Sequence, residues 1–301
     1  QPGALRQRVA SHTAPPKEGL DQRADRGRLR CTTSVIFSRT CLKVLDRLRL
    51  QFQILLTEDN PVNQRLAVRL LERWGHRVTV AENGRQALSL LEDQKFDLAL
   101  MDVQMPEMDG FETTARIRER EKATGAHLPI IAMTAYAMEG DRERCMAAGM
   151  DGYVAKPILA EDLFQTIEQV VLGKDGAEVA PATLKTDSVF DREEALERVG
   201  GDADLLGELT ELLLDNCPGM LARLEEAVSR RDAKALERAA HTLKGAVGQL
   251  GARNVSEAAL RLETIGAKND LTGAKEILAV LEKEMERFRA AVLAFRDENT
   301  P

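Results

Sequence analysis

Short apolar runs alternate with amphipathic segments from Phe52 to Val171, and this alternation is the strongest constraint on the fold. A run such as Leu98–Met101 is apolar throughout, which is typical of a strand buried on both sides of a parallel sheet. The intervening segments have helical periodicity, as in repeated strand–helix units. The pattern predicts a doubly wound α/β domain over residues 52–172. Its strands are expected at Gln53–Thr57, Arg77–Ala81, Asp97–Met101, Pro129–Met133 and Gly152–Ala155, and its helices begin near Pro61, Gly84, Phe111, Met138 and Ala160.

The pattern changes after residue 172. Residues 173–188 gather Gly, Pro, Asp and Thr without periodicity, which predicts a linker. Residues 189–296 carry Leu and Ala at spacings of three and four, which favours a helical bundle. Pro218 is expected at the first position of a helix. The expected helices are Asp191–Val199, Ala203–Asn216, Pro218–Arg230, Ala233–Leu250, Ala252–Ala267 and Thr272–Phe295.

Charge separates the N-terminal stretch from the rest of the chain. The formal net charge is -7, and residues 1–50 hold eleven Lys/Arg against four Asp/Glu, so the remainder carries -14. An acidic body repels nucleic-acid phosphates, so no nucleic-acid partner is expected. We interpret residues 1–50 as a basic, disordered or remnant segment. The four cysteines are scattered, which favours a reducing compartment. The sequence has no apolar run long enough to span a bilayer, so we expect a cytoplasmic chain without a membrane segment.

Acidic residues follow two of the predicted strands. Glu58 and Asp59 come after the first strand, and Asp102 comes after the third. Because open parallel sheets hold their ligands at the carboxyl ends of the strands, these three carboxylates should converge. Like charges in one crevice raise each other's pKa or require a cation, and an all-oxygen set suits Mg²⁺. Once the charge is neutralised, one carboxylate can act as a nucleophile toward phosphorus.

Two further polar residues follow predicted strands. Thr134 follows the fourth strand, and its hydroxyl can donate to a phosphoryl oxygen. Lys156 follows the fifth strand, and its positively charged ammonium can contact another phosphoryl oxygen. A single acidic residue after a strand is more often a turn former or helix cap. Together, however, the polar residues at the strand ends favour a phosphoryl-transfer site.

These segments resemble the receiver domains of two-component response regulators. The resemblance covers Phe52 to Val171 and is carried by ILLTEDNPVNQ, LALMDVQMPEMDGFE, PIIAMTAYA and GYVAKPI. It implies a five-stranded parallel sheet of the flavodoxin-like kind and phosphorylation of Asp102. The implied ligands of Mg²⁺ are Glu58, Asp59, Asp102 and the backbone carbonyl of Gln104.

The same resemblance assigns roles to the last two strands. It implies that Thr134 and Tyr153 form a switch pair and that Lys156 contacts the phosphoryl group. It also implies a cis peptide bond between Lys156 and Pro157, an isomer that only an X-Pro bond adopts cheaply.

The helical half contains one unusual segment, AHTLKGAVGQLGA, beginning at Ala240. At 100° per residue, His241 lies about 140° from the centre of the apolar stripe and is predicted to face water. Gly245 and Gly248 each cost about 1 kcal/mol in a helix, which suggests that a partner surface comes close. Lys244 shares enough of this face to reach a phosphoryl group on the imidazole. The stripe itself is formed by Leu236, Ala240, Leu243, Val247 and Leu250.

This segment resembles the signature of histidine phosphotransfer (HPt) domains, over about Phe190 to Phe295. The resemblance implies that His241 accepts a phosphoryl group from an aspartyl phosphate, assisted by Lys244 and Gly245. The chain is therefore interpreted as a two-component phosphorelay protein. Its expected partners are a donor histidine kinase and the receiver domain of a downstream response regulator, and the receiver that meets His241 is either the chain's own or another.

Three alternatives stay open. The chain could be the C-terminal part of a hybrid sensor histidine kinase; it has no ATP-lid glycine run and no dimerising histidine helix, so whether it counts as an enzyme is left undecided. It could be a binding switch in which phosphorylation of Asp102 merely docks the bundle. A DNA-binding response regulator is disfavoured because the acidic helical half lacks a basic recognition helix.

Overall fold

The computed structural model describes residues 51–135, 139–172 and 189–299. The predictions for residues 1–50 and for the linker at 173–188 lie outside the described residues, as does the helix start near Met138. The α/β half comprises the described residues up to 172, and the helical half comprises residues 189–299. None of the described helices is both long and apolar enough to cross a bilayer.

The α/β half alternates strands with helices, as predicted. Along the chain its elements are β1 Gln53–Thr57, α1 Pro61–Arg73, β2 Arg77–Ala81, α2 Gly84–Asp93, β3 Leu98–Asp102, α3 Gly110–Thr124, β4 Ile130–Thr134, α4 Glu139–Ala147, β5 Gly152–Ala155 and α5 Ala160–Leu172. The sheet is parallel throughout with strand order β2-β1-β3-β4-β5, which confirms the doubly wound fold. Because β3 and β4 end one residue later than predicted, Asp102 and Thr134 are the last residues of their strands.

The interior strands β3 and β4 contribute residues to both cores of this half. Successive side chains of a strand point to opposite faces. Leu98 and Leu100 of β3 therefore join the core that includes α1 and α5, whereas Ala99 and Met101 join the core on the opposite face. Every residue of β3 and β4 is buried. The polar residues at the carboxyl ends of these strands are thus held at a protected edge of the sheet.

The helical half is built from helices over its whole described length. These are α6 Arg192–Arg198, α7 Ala203–Arg230, α8 Ala233–Gln249, α9 Arg253–Ala267 and α10 Ala274–Asn299. The prediction of separate helices on either side of Pro218 is wrong, because α7 continues through the proline. The physical reason is its buried stripe, in which Leu213 and Cys217 precede the proline and Met220 and Leu224 follow it. Burial of about 1.5–3 kcal/mol per large side chain outweighs the cost of one interior proline.

Pro218→Ala should raise the free energy of unfolding of the helical half by about 1–3 kcal/mol. Alanine restores the missing backbone donor and removes the ring clash in the helix interior, while the freer unfolded chain offsets part of the gain. Urea unfolding followed by far-ultraviolet circular dichroism measures the change. Pro61→Ala is the matched control, because Pro61 is the first residue of α1, where no backbone donor is needed. A loss of stability in Pro218→Ala would contradict this account of α7.

Helix α1 contacts both halves of the chain. It begins at Pro61 because the side chain of Asn60 accepts hydrogen bonds from the backbone N–H groups of Val62 and Asn63. Its buried face packs on the sheet, and other residues of α1 contact α7 and α8. The apolar core on the α1 side of the sheet is continuous with the core of the helical half. The structure therefore shows the two halves packed together through α1.

Candidate functional site

Three carboxylates meet at the carboxyl end of the sheet. Glu58 and Asp59 follow β1, and Asp102 ends β3, the strand beside it. One carboxylate oxygen from each residue lies within 4.8 Å of the other two. Glu58 and Asp102 are almost fully buried, whereas Asp59 is partly exposed. The structure thus brings together the three acidic residues that the strand-end argument selected, and this acid pocket opens beside Asp59.

Lys156 connects two of these carboxylates. Its Nζ donates hydrogen bonds to Glu58 Oε2 at 2.7 Å and to Asp102 Oδ2 at 2.6 Å, and its side chain is 5% exposed. Burial opposes the charge on the ammonium, yet the two carboxylates hold the pKa of Lys156 above its usual range. The peptide bond to Pro157 is cis, as the resemblance implied. Lys156 therefore carries a permanent positive charge into the acid pocket.

Negative charge in the pocket exceeds what Lys156 can offset. Burial, with the nearby charge of Glu58, raises the pKa of Asp102 to about 8 although Lys156 acts in the opposite direction. The same two causes raise the pKa of Asp59 to about 6, while Lys156 and His241 oppose the rise. A divalent cation would remove this crowding, because its charge favours the ionised form of each carboxylate.

The remaining predicted residues of the α/β half lie just after β3 and on β4 and β5. The backbone N–H of Gln104 donates to Asp102 Oδ1 at 3.1 Å. Thr134 is buried at the end of β4, and its strand neighbour is Ala155. Tyr153 is partly buried on β5, with the guanidinium carbon of Arg142 6.0 Å from its ring centroid. The switch pair of Thr134 and Tyr153 stays a prediction.

His241 lies on α8, where the expectation that it faces water is wrong. Its side chain is only 13% exposed. The side chain of His241 points away from the apolar stripe of α8, as the spacing of about 100° per residue predicts. Glu263 of α9 and the adjacent α/β half nevertheless cover the imidazole. Helical periodicity specifies the direction of a side chain relative to its own helix and does not specify which neighbours pack there.

Glu263 is a functional candidate that sequence reasoning missed. Its Oε1 lies 2.8 Å from His241 Nδ1, and its Oε2 accepts a hydrogen bond from Lys244 Nζ at 2.5 Å. Its side chain is 3% exposed. Burial alone would raise the pKa of Glu263, but the hydrogen bonds from His241 and Lys244 reverse this and lower it. The available signal was an acidic residue among the buried positions of α9, between Leu262 and Gly266.

A carboxylate at this position determines which imidazole nitrogen is free. An ionised carboxylate can only accept hydrogen bonds, so His241 Nδ1 must carry the proton that it shares with Glu263. The neutral ring then has its lone pair on Nε2. Glu263 thereby leaves Nε2 as the unprotonated nitrogen of the neutral ring and holds the ammonium of Lys244 beside the ring.

Asp59 of the acid pocket and His241 line the same cleft. This cleft has a volume of about 1000 Å³, and its walls include Asp59 and Thr134 from the α/β half and His241 from the helical half. Asn60 Nδ2 donates to the backbone carbonyl of Thr242 at 2.8 Å, which joins the residue after Asp59 to the residue after His241. The structure thus places Asp59 of the acid pocket and His241 on one cleft, with a hydrogen bond between the residues that follow them in the chain.

Gly245 accounts for the close approach of the two halves. A Cβ atom at Gly245 would lie 3.3 Å from Asn63 Nδ2 of α1. A Cβ atom at Gly248 would meet Ser256 Oγ of the helical half itself, at 3.9 Å. The expectation that a glycine admits a partner surface therefore holds at Gly245, where that surface is the chain's own α/β half.

Two family models match the chain. The response regulator receiver domain matches residues 54–168, and the Hpt domain matches residues 208–291. Sensor histidine kinase GacS of Pseudomonas protegens is 35% identical over 225 residues, covering 72% of this chain and 24% of that protein. Signal transduction histidine-protein kinase BarA of Escherichia coli is 32% identical over 218 residues, covering 70% and 24%. The chain thus spans about a quarter of the length of these relatives.

Among solved structures, the receiver domain of sensor histidine kinase PA1611 from Pseudomonas aeruginosa is 42% identical to the matched part of this chain. The match covers 40% of this chain and 98% of that domain, with a TM-score of 0.37. That crystal structure holds a magnesium ion in its active-site cleft.

Proposed function

The chain is a response regulator receiver domain joined to an Hpt domain, and we propose that it exchanges phosphoryl groups between Asp102 and His241 within a two-component phosphorelay. We assign residues 52–172 to the receiver domain and residues 189–296 to the Hpt domain. The observation that carries the proposal is the shared cleft, whose walls include Asp59 of the acid pocket and His241. The hydrogen bond from Asn60 to Thr242 supports this pairing of the two sites.

Asp102 is the proposed phosphoacceptor of the receiver domain. A carboxylate oxygen of Asp102 attacks the phosphorus of a phosphohistidine, the P–N bond breaks, and the imidazole leaves as it takes up a proton. Lys156 and Thr134 are the proposed donors to the phosphoryl oxygens, and Tyr153 is the proposed partner of Thr134 in the switch pair. Lys156 is supported by its contact with Asp102.

Mg²⁺ is the proposed cofactor of this step. The donor set fits, because three carboxylates bring oxygens within 4.8 Å of one another, and burial together with the charge of Glu58 raises the pKa of Asp102 and of Asp59. Glu58, Asp59, Asp102 and the backbone carbonyl of Gln104 would hold the ion. When bound, it supplies positive charge that lets an anionic phosphoryl group approach the acid pocket.

His241 is the proposed carrier of the Hpt domain. Its Nε2 attacks the phosphorus of the Asp102 acyl phosphate, the P–O bond to the carboxyl group breaks, and the carboxylate is regenerated. Glu263 holds the Nδ1 proton, so the positive charge of the phosphorylated ring is stabilised. Lys244 stands beside the ring to offset the added negative charge.

The donor and the final acceptor are inferred by chemical class. The donor is a histidine kinase, and the acceptor is the receiver domain of a downstream response regulator. The relatives named as sensor histidine kinases support a place at the end of a hybrid kinase, whose kinase activity would reside outside the sequence described here. A cytoplasmic location is part of this proposal, because the phosphoryl groups of such a kinase come from ATP.

The test follows labelled phosphoryl groups in the full chain. The chain is incubated briefly with a labelled phosphoramidate, the donor is removed, and the label is followed by its chemical stability. An acyl phosphate is lost in alkali, whereas a phosphohistidine is lost in acid. We expect alkali-labile label to become acid-labile in the wild type, with no such conversion in His241→Gln and with acid-labile label reduced by about tenfold or more in Asp102→Asn.

His127→Gln is the matched control, since His127 is an exposed histidine of the receiver domain. It should convert the label like the wild type. Label on neither Asp102 nor His241, or undiminished acid-labile label in Asp102→Asn, would contradict the proposal. Repeating the experiment with a metal chelator tests the cofactor, because the proposal requires labelling of Asp102 to fall sharply without Mg²⁺.

A further inference from the structure

We propose that Asp202 and Glu208 form an acidic docking edge on the Hpt domain that selects receiver domains whose first helix carries arginines four residues apart. The chain's own receiver occupies this edge, so a downstream receiver must displace it to reach His241. The inference rests on the proposed function, because docking matters only if His241 exchanges phosphoryl groups with a receiver.

The edge is defined by ion pairs between α1 and the beginning of α7. Arg65 pairs with Glu208, and Arg69 Nε lies 3.4 Å from Glu208 Oε2. Arg73 NH1 lies 3.5 Å from Asp202 Oδ2. Residues four apart in a helix are rotated by only 40°, so the three arginines form one basic stripe along α1. This stripe faces the acidic edge over its whole length.

The position of the edge aligns an incoming receiver with His241. Asn60, which caps α1, contacts the residue after His241, and Asn63 approaches Gly245. From Asn60 the helix runs about 20 Å to Arg73 at 1.5 Å per residue, past Glu208 to Asp202. A receiver whose first helix follows this line therefore brings the acid pocket at the start of that helix to the imidazole.

The exposure of these ion pairs makes the contact suited to exchange. The arginine side chains are 41–47% exposed, and those of Glu208 and Asp202 are 33% exposed. Such pairs are individually weak, are screened by salt and discriminate between partners more than they add affinity. By contrast, the pair between Arg198 and Glu194 inside the Hpt domain is 7% and 5% exposed. The edge thus has the character of a reversible, charge-selective surface.

Tethering explains why the chain's own receiver occupies the edge. Two domains joined in one chain meet at a high effective concentration, on the order of millimolar. A free receiver with the same basic stripe must compete against this concentration. Weakening the tethered contact while leaving the acidic edge intact should therefore open His241 to a second receiver.

The experiment uses two full-length copies of the chain as donor and acceptor. The donor carries His241→Gln and is labelled on Asp102 with phosphoramidate, which is then removed. The acceptor carries Asp102→Asn, and the rate at which its His241 becomes labelled is measured. One acceptor adds Arg65→Glu and Arg69→Glu, which frees an intact acidic edge. A second acceptor adds Glu208→Lys, which also repels the tethered receiver but reverses the charge of the edge.

We expect the acceptor with Arg65→Glu and Arg69→Glu to gain label about three- to tenfold faster than its parent, because the tethered competitor is lost. The acceptor with Glu208→Lys should gain label no faster than its parent. A donor that itself carries Arg65→Glu and Arg69→Glu should reverse the preference and favour the Glu208→Lys acceptor. Glu225→Lys is the matched control, since Glu225 is an exposed residue of α7 seventeen positions from Glu208.

Three results would overturn the inference. Equal rates into the two acceptors would show that the edge does not select receivers. Failure of the acceptor with Arg65→Glu and Arg69→Glu to exceed its parent would show that the tethered receiver does not compete. If the donor with Arg65→Glu and Arg69→Glu does not favour the Glu208→Lys acceptor, receivers are not selected by the charge of this edge. If no label reaches His241 in any donor–acceptor mixture or within the wild-type chain, the proposed function fails as well. If label is transferred only within one chain, the proposed function stands and the inference about docking fails.

Discussion

Glu263→Ala should slow phosphoryl transfer from Asp102 to His241 by about 10–100-fold, the range measured when the hydrogen-bond partner that orients a metal-bound histidine is removed. Glu263 holds the proton on Nδ1 and leaves Nε2 free to attack. Without the carboxylate the ring samples both tautomers and both orientations, and Lys244 loses its partner as well. Single-turnover transfer within the labelled chain measures the loss.

The position of the imidazole proton distinguishes orientation from a merely structural role. Nitrogen NMR of His241 should show the proton on Nδ1 in the wild type and a mixture of tautomers in Glu263→Ala. Glu263→Gln should retain part of the rate, because its amide oxygen can still accept from Nδ1. Glu257→Ala is the matched control, since Glu257 is an exposed residue of the same helix. An unchanged tautomer in Glu263→Ala would contradict this role even if the rate fell.

Asp102→Asn should raise the free energy of unfolding of the metal-free receiver domain by about 1–3 kcal/mol at pH 8. Burial and the charge of Glu58 raise the pKa of Asp102 from 3.8 to about 8 in the folded chain. The folded state therefore binds more protons than the unfolded state between these values, and the free energy of unfolding falls as pH rises through this window. Asparagine has no charge to bury, so it removes the penalty.

In Asp102→Asn the free energy of unfolding should also change less with pH between pH 6 and pH 8. Asp59, with a pKa of about 6, contributes little to the pH dependence of the free energy of unfolding in this range. Urea unfolding in the presence of a chelator measures both effects. Fluorescence of Trp74 reports on the receiver domain, because it is the one tryptophan in the sequence and packs edge-on against Phe164. Asp93→Asn, at an exposed position of α2, should change the free energy of unfolding by less than about 0.5 kcal/mol.

Addition of Mg²⁺ provides the complementary measurement. A cation that binds the folded wild type and not the unfolded chain should raise its free energy of unfolding, and Asp102→Asn should lose most of this gain. A lower free energy of unfolding in Asp102→Asn at pH 8, or an unchanged pH dependence of that free energy, would show that burying the charge of Asp102 beside Glu58 does not destabilise the metal-free fold.

The sequence by itself determined the sheet, its order of elements and the residues at its carboxyl edge. Strands buried on both faces must be apolar throughout, so β3 and β4 were visible as unbroken runs. In a parallel sheet all carboxyl ends lie at one edge, which brought Asp102 and Lys156 together although they are far apart in the chain. Local propensity was less reliable at Pro218, where packing of the buried stripe outweighed the tendency of proline to begin a helix.

Only the tertiary structure decided what surrounds His241. Helical periodicity specified the direction of the imidazole, but Glu263 comes from another helix, and Asn60 reaches Thr242 across 182 positions of sequence. In the sequence, nothing distinguishes Arg65 and Glu208 from other charged surface residues. They form an ion pair because α1 packs along α7 in the structure. The physical reason is that the periodicity of a helix shows which of its faces is apolar and which is polar. It does not show which segment, distant in the sequence, packs against each face.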